Sequence, residues 1–127
     1  MEIVRRVCAE WERGNFQTPE VFDPDVHVVW VNPILVPAAE THGLEELGAR
    51  MREFLEAWGS VTATAEEILD AGDKVVCFSV WHARGRESGV PVEDRQANVW
   101  TFVDGRATRL VNYGDRAKAL QDAGLSE

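Results

Sequence analysis

Asn32, Asn98 and Asn112 each lie in or at the end of an apolar, β-branched run, where an amide offers a neutral donor and a neutral acceptor able to orient a carbonyl or hydroxyl. Each could instead bond backbone at a strand end or bulge. Asn98, in mid-strand among aromatic residues, has the best claim to a ligand. Trp30, Trp58, Trp81 and Trp100 could wall a flat apolar molecule, with Ser79 and Gln96 as polar neighbours, or they could fill a core. His27, His42 and His82 are the side chains that titrate near neutrality without special help. His27 and His82 are expected to face away from the pocket. His42 precedes a long helix and can reach a pocket mouth, which makes it the best general acid or base, with a capping or surface role as the alternative. Asp94, near a hairpin tip, is the other candidate for proton transfer. Histidines and acids do not gather at ligand spacing on one pocket face, so no metal site is expected, and no cofactor.

Something must position these groups. A chain of 127 residues fits one domain, 1–127, because two would each be too small to build a comfortable core. With 45% hydrophobic and 28% charged residues the composition is that of an ordinary globular protein. A net charge of −9 excludes polyanionic partners: nucleic acid and anionic membranes need clustered Lys and Arg. Cys8 and Cys77 are far apart and lack ligand spacing, so both read as small core residues. The N-terminal apolar stretch is broken by Arg5 and Arg6 and is neither signal peptide nor span; a cytoplasmic location is expected.

Ile3, Val4, Val7, Cys8 and Trp11 recur at the spacing of one helical face, and Gly14-Asn15 ends that helix. Thr18-Pro19-Glu20 predicts a brief second helix. Val26 to Val31 predicts a strand ended by Asn32-Pro33. Ile34 to His42 has no sustained period and reads as a loop, followed by a helix from Leu44 to Trp58 with Leu44, Leu47, Met51, Phe54, Leu55 and Trp58 on one stripe. Four strands follow, over 61–71, 74–84, 92–103 and 107–113, with turns at Ala71-Gly72-Asp73 and Asp104-Gly105. Asp115 and Gly124 bracket a last helix as N-cap and C′ residue. Helices first and a meander afterwards predict an α+β fold, a curved antiparallel sheet packed on N-terminal helices.

Alternation sorts the side chains into two faces. A turn at Ser88-Gly89 would place Trp81 opposite Gln96 and Ser79 opposite Asn98. One face then carries Cys77, Ser79, Trp81, Asp94, Gln96, Asn98 and Trp100, and is the better choice for the pocket. The other carries Phe78, Val80, His82, Ala97 and Val99, and is expected to meet a second copy of the chain in a homodimer.

Three stretches carry a family resemblance: Glu66 to Val76 (EEILDAGDKVV), Val99 to Arg106 (VWTFVDGR), and Tyr113 to Leu120 (YGDRAKAL). With the element order, they resemble the SnoaL-like branch of the nuclear transport factor 2-like superfamily, over nearly the whole chain. The resemblance implies a conical α+β fold, commonly dimeric, with a deep pocket used by isomerases, cyclases, hydrolases, dehydratases and non-catalytic binders. It also implies where their catalytic groups would fall. The carboxylate base of ketosteroid isomerases matches Asn32, and their oxyanion-hole residues match Val7 and Asn98. The ionisable triad of limonene epoxide hydrolases matches Ser79, Trp81 and Asn112. None of these residues ionises, so neither chemistry is supported. The sequence therefore predicts a pocket for a small apolar or aromatic molecule, oriented by Asn98 with Asn32 or Asn112. Isomerisation, cyclisation or hydrolysis there would depend on His42 or Asp94, and the alternative is a non-catalytic binder or dimeric scaffold.

Overall fold

The computed structural model describes residues 2–31 and 39–125. Helix α1 (Glu2–Glu12) buries Val4, Val7, Cys8 and Trp11, the face its sequence spacing predicts. It stops where Gly14 takes φ +79, and a Cβ there would come within 3.3 Å of the Val61 carbonyl, so the turn requires glycine. A 3-10 turn over Pro19–Val21 leads straight into β1 (Phe22–Val31). Next come β2 (Ala39–His42), α2 (Gly43–Ala57), β3 (Trp58–Ala71), β4 (Lys74–Gly85), β5 (Pro91–Val103), β6 (Arg106–Tyr113) and α3 (Arg116–Asp122). Asp115 caps α3 by accepting from Ala117 N–H, and Gly124 takes positive φ after it, as expected.

The six strands form one sheet in the order β2-β1-β6-β5-β4-β3. Three of its features differ from the sequence expectation. The sheet is mixed, because β1 runs parallel to β6, with Val28 beside Leu110 and Trp30 beside Asn112. Residues 39–42, read as loop, form β2, which pairs antiparallel with β1 and places His27 opposite His42. Four residues are too few for a period to show. The β4–β5 register is displaced by two: Trp81 faces Asp94 and Ser79 faces Gln96. The tip is longer than a Ser88-Gly89 turn because Arg86 is drawn away to the end of α2, donating to the carbonyls of Glu56 (2.8 Å) and Trp58 (3.0 Å). A shift of two preserves the side of every residue, so the predicted face sets stand.

The inner face packs on α1 and α2 around Trp81, Trp100, Val28 and Leu110. Here Cys8 and Cys77 come within 3.6 Å, sulfur to sulfur. The contact with Cys8 and burial push the Cys77 thiol up, so it stays protonated. The outer face is partly covered by the chain itself: Ala119 and Leu120 of α3 seal Val76, Phe78, Ala97 and Val99. Its anchor is Asp122, which accepts from Lys74 (2.9 Å) and Tyr113 (2.8 Å) and lies 3.5 Å from Arg109. Burial opposes its ionisation, but Lys74, Tyr113 and Arg109 together hold the carboxyl below its ordinary value. Burial and the Asp122 bond push Tyr113 up to about 12.

Candidate functional site

Between the inner sheet face, α1 and α2 lies a cavity of about 430 Å³. Trp11 and Phe16 close one side, Phe22, Val28 and Trp30 of β1 another, and Leu44, Leu47, Met51 and Leu55 of α2 form the roof. Trp81, Leu110 and Asn112 make the floor. The wall is aromatic because Phe16 stacks on Trp81 with ring centres 5.1 Å apart, and Trp11 leans on the same indole at 5.1 Å. Gly48 opens the roof in mid-helix. A methyl there would meet only Arg52 Nη1, at 3.5 Å, so the guanidinium lies back across the glycine at the cavity edge. Arg52 is exposed and has no carboxylate partner among the described residues.

Beneath the floor runs a chain of hydrogen bonds. Trp81 Nε1 donates to Ser79 Oγ (3.0 Å), whose hydroxyl donates to Asn98 Oδ1 (2.7 Å). Asn98 Nδ2 donates to Asn112 Oδ1 (2.7 Å) and to Gln96 Oε1 (3.4 Å). Gln96 Nε2 passes on to Asp94 Oδ2 (3.0 Å), and Asn112 Nδ2 reaches the Val29 carbonyl (3.4 Å). The chain spans β4, β5, β6 and β1. Asn98 is fully buried and both its amide hydrogens are engaged within this chain, so it presents no donor to the cavity. Asn112 is the member at the wall, and its second N–H has no partner among the described residues.

The sequence candidates therefore separate. Trp30, Trp81 and Asn112 line the cavity. Ser79, Gln96 and Asn98 support it from behind. Asp94, 2% exposed, sits at the far end of the chain and not in the wall. Trp100 is fully buried below Phe22 and Trp11, stacked on Phe22 at 5.7 Å, because alternation fixes a side but not a depth. Trp58 begins β3 and packs on the core outside the wall. Asn32 lies outside the described residues. His42 is on the opposite face: paired with His27, it lies across the sheet from the cavity. It occupies the N-cap position of α2, yet its side chain makes no cap bond. Away from the pocket face, on this outer side of the sheet, His27, Glu40 and His42 converge once β2 forms. Trp11, Phe16 and Phe22 were missed as wall residues. The α2 stripe was visible in sequence, but a helical stripe reads equally as core or as cavity roof.

Residues 4–110 match the family described as the SnoaL-like domain. The chain belongs to that family. This SnoaL-like protein is 29% identical over 115 residues to an uncharacterized protein of Mycobacterium tuberculosis (strain H37Rv), covering 89% of this chain and 86% of the relative. Among solved structures, it is similar to an NTF2-like protein of unknown function from Burkholderia pseudomallei (TM-score 0.77, 20% identity, 95% of this chain and 94% of that one). A protein with ketosteroid isomerase-like fold from Catenulispora acidiphila, in complex with trimethylamine, matches with TM-score 0.74 at 20% identity over 98% and 93%. TerC, co-crystallized with polyporic acid, matches with TM-score 0.74 at 18% identity over 97% and 96%. At these identities the likeness shows the fold. No helix among the described residues is long and apolar enough to cross a membrane.

Proposed function

We propose that this SnoaL-like protein binds one small, flat apolar or aromatic molecule that carries an anionic group. The apolar wall of Trp11, Phe16, Trp30, Trp81 and the α2 leucines supports the first half of the reading. The observation that carries the second is Arg52, a guanidinium at the edge of an apolar cavity with no carboxylate partner among the described residues, in a chain of net charge −9. A cation so placed is available to a carboxylate or enolate of the ligand. Asn112, with its free N–H, orients a second oxygen. Binding is favoured over turnover because no carboxylate, histidine or cysteine is among the described residues of the wall, so the cavity has no ordinary proton carrier. TerC, of the same fold, was co-crystallized with polyporic acid, which agrees with an acidic ligand.

A panel of aromatic carboxylic acids and their methyl esters tests this by melting temperature. A matching acid at 100 times its Kd stabilises the fold by about 2.7 kcal/mol. Its ester binds roughly tenfold more weakly, and Arg52→Gln abolishes the difference between the two. Acids and esters that bind equally sink the anion; no shift from either series sinks the pocket.

A further inference from the structure

We propose that His27, Glu40 and His42 form a binding site for one divalent transition-metal ion of the zinc type, on the outer face of the sheet at the β1–β2 edge. The site is separate from the cavity, which lies across the sheet. Direct pairing of His27 with His42 puts both imidazoles on one side, and Glu40, two residues before His42, shares it. One ligand atom from each residue lies within 4.8 Å of the others.

The carboxylate divides itself between the rings. Glu40 Oε2 lies 3.1 Å from His27 Nε2, and Oε1 lies 4.0 Å from His42 Nε2. The imidazoles stack with centres 4.5 Å apart and planes 8° from parallel, so the two rings lie side by side at the strand edge. His27 Nε2 is buried and makes no aligned hydrogen bond, despite the nearby carboxylate. A buried ring nitrogen left without such a bond costs free energy unless something else takes it up, and a cation seated at the nitrogen edge beside Glu40 would do so.

The surroundings suit the ion. His42 is free of capping duty, while its backbone N–H is held by Glu46 Oε1 at 3.1 Å, which fixes where its side chain starts. Arg109, beside His27 on β6, is directed to Asp122 and does not oppose a cation. Two imidazoles and one carboxylate are a donor set that zinc takes with its fourth position open to water, and the nitrogen donors disfavour calcium and magnesium. Tetrahedral coordination at zinc distances needs the donors about 3.4 Å apart, which side-chain torsions reach from the present spacing.

The test is calorimetric titration of the metal-stripped protein with Zn2+, and with Co2+ followed by its visible ligand-field absorption. One equivalent binds, and His42→Ala or Glu40→Gln each weakens the affinity at least tenfold and removes the tetrahedral cobalt spectrum. His82→Ala, which alters an exposed histidine elsewhere on the outer face, leaves both unchanged. His27→Ala serves as a third variant if its melting curve shows that it folds; His42 and Glu40 are exposed, so their variants keep the test decisive. Absence of stoichiometric binding, or binding that survives both variants, overturns the site and leaves an ion triad without metal. Loss of affinity equally through His82→Ala overturns it as ordinary surface histidine binding.

Discussion

The two faces of the sheet hold their polar residues in opposite ways. On the inner face they are neutral apart from Asp94, fully enclosed and bonded to one another, from Trp81 through Ser79 and Asn98 to Asn112. On the outer face they are mostly ionisable, nearer to water and grouped around single acids: Asp122 with Lys74, Tyr113 and Arg109, and Glu40 with His27 and His42. A buried amide is costly only when unpaired, so the links from Trp81 to Asn112 can shape a dry floor beneath the cavity, with Asp94 kept at the far end of the chain. The inner links around Asn98 are neutral, whereas the anchor of α3 is a carboxyl whose ionisation its partners favour.

Three variants would break or sharpen that contrast. Asn98→Ala has the largest effect, because it strands the Ser79 hydroxyl and the Asn112 carbonyl and leaves a small void. A loss of about 3 kcal/mol is expected, nearly constant across mildly acidic to neutral pH, measured by chemical denaturation. A marked pH dependence would show that the floor is not neutral.

Asp122→Asn follows, with about 2 kcal/mol lost at neutral pH as α3 loosens. Here the sign with pH is fixed. The Asp122 carboxyl lies below its ordinary value of 3.8 in the folded chain, so its contribution is complete above that value and disappears as pH falls through the depressed one. The variant and the parent should therefore converge in strong acid, and a constant gap would mean that packing, not charge, anchors α3. Smallest is Gly48→Ala, which gains up to about 1 kcal/mol in helix propensity while placing a methyl under Arg52. Stabilisation with weaker binding of the acid ligands marks the glycine as an opening to the cavity. Unchanged binding would place the ligand elsewhere.

Much of this was legible in the sequence where local pattern decides. The α1 stripe, the Asp104-Gly105 turn and the two side-chain sets of β4 and β5 follow from periods of 3.6 and 2, and those periods are local. What was not legible depends on partners distant in sequence. The parallel pairing of β1 with β6 leaves no local mark. Arg86 displaces the β4–β5 register through carbonyls of α2 that strand alternation cannot foresee. Trp11 and Trp100 exchanged their expected places, wall for core, because parity carries no information about depth. The face of His42 was not legible for a related reason: β2 is too short to announce itself, and without it the histidine has no face.

The parallel β1–β6 pair also sets a clock. Val28 waits for Leu110, and Trp30 for Asn112, so the floor cannot close until β6 has emerged from the ribosome. Such distant pairing belongs to folds that assemble in milliseconds to seconds rather than microseconds. Until then Val28 and Trp30 of β1 lack the strand they are to lie beside, and the cavity has no floor.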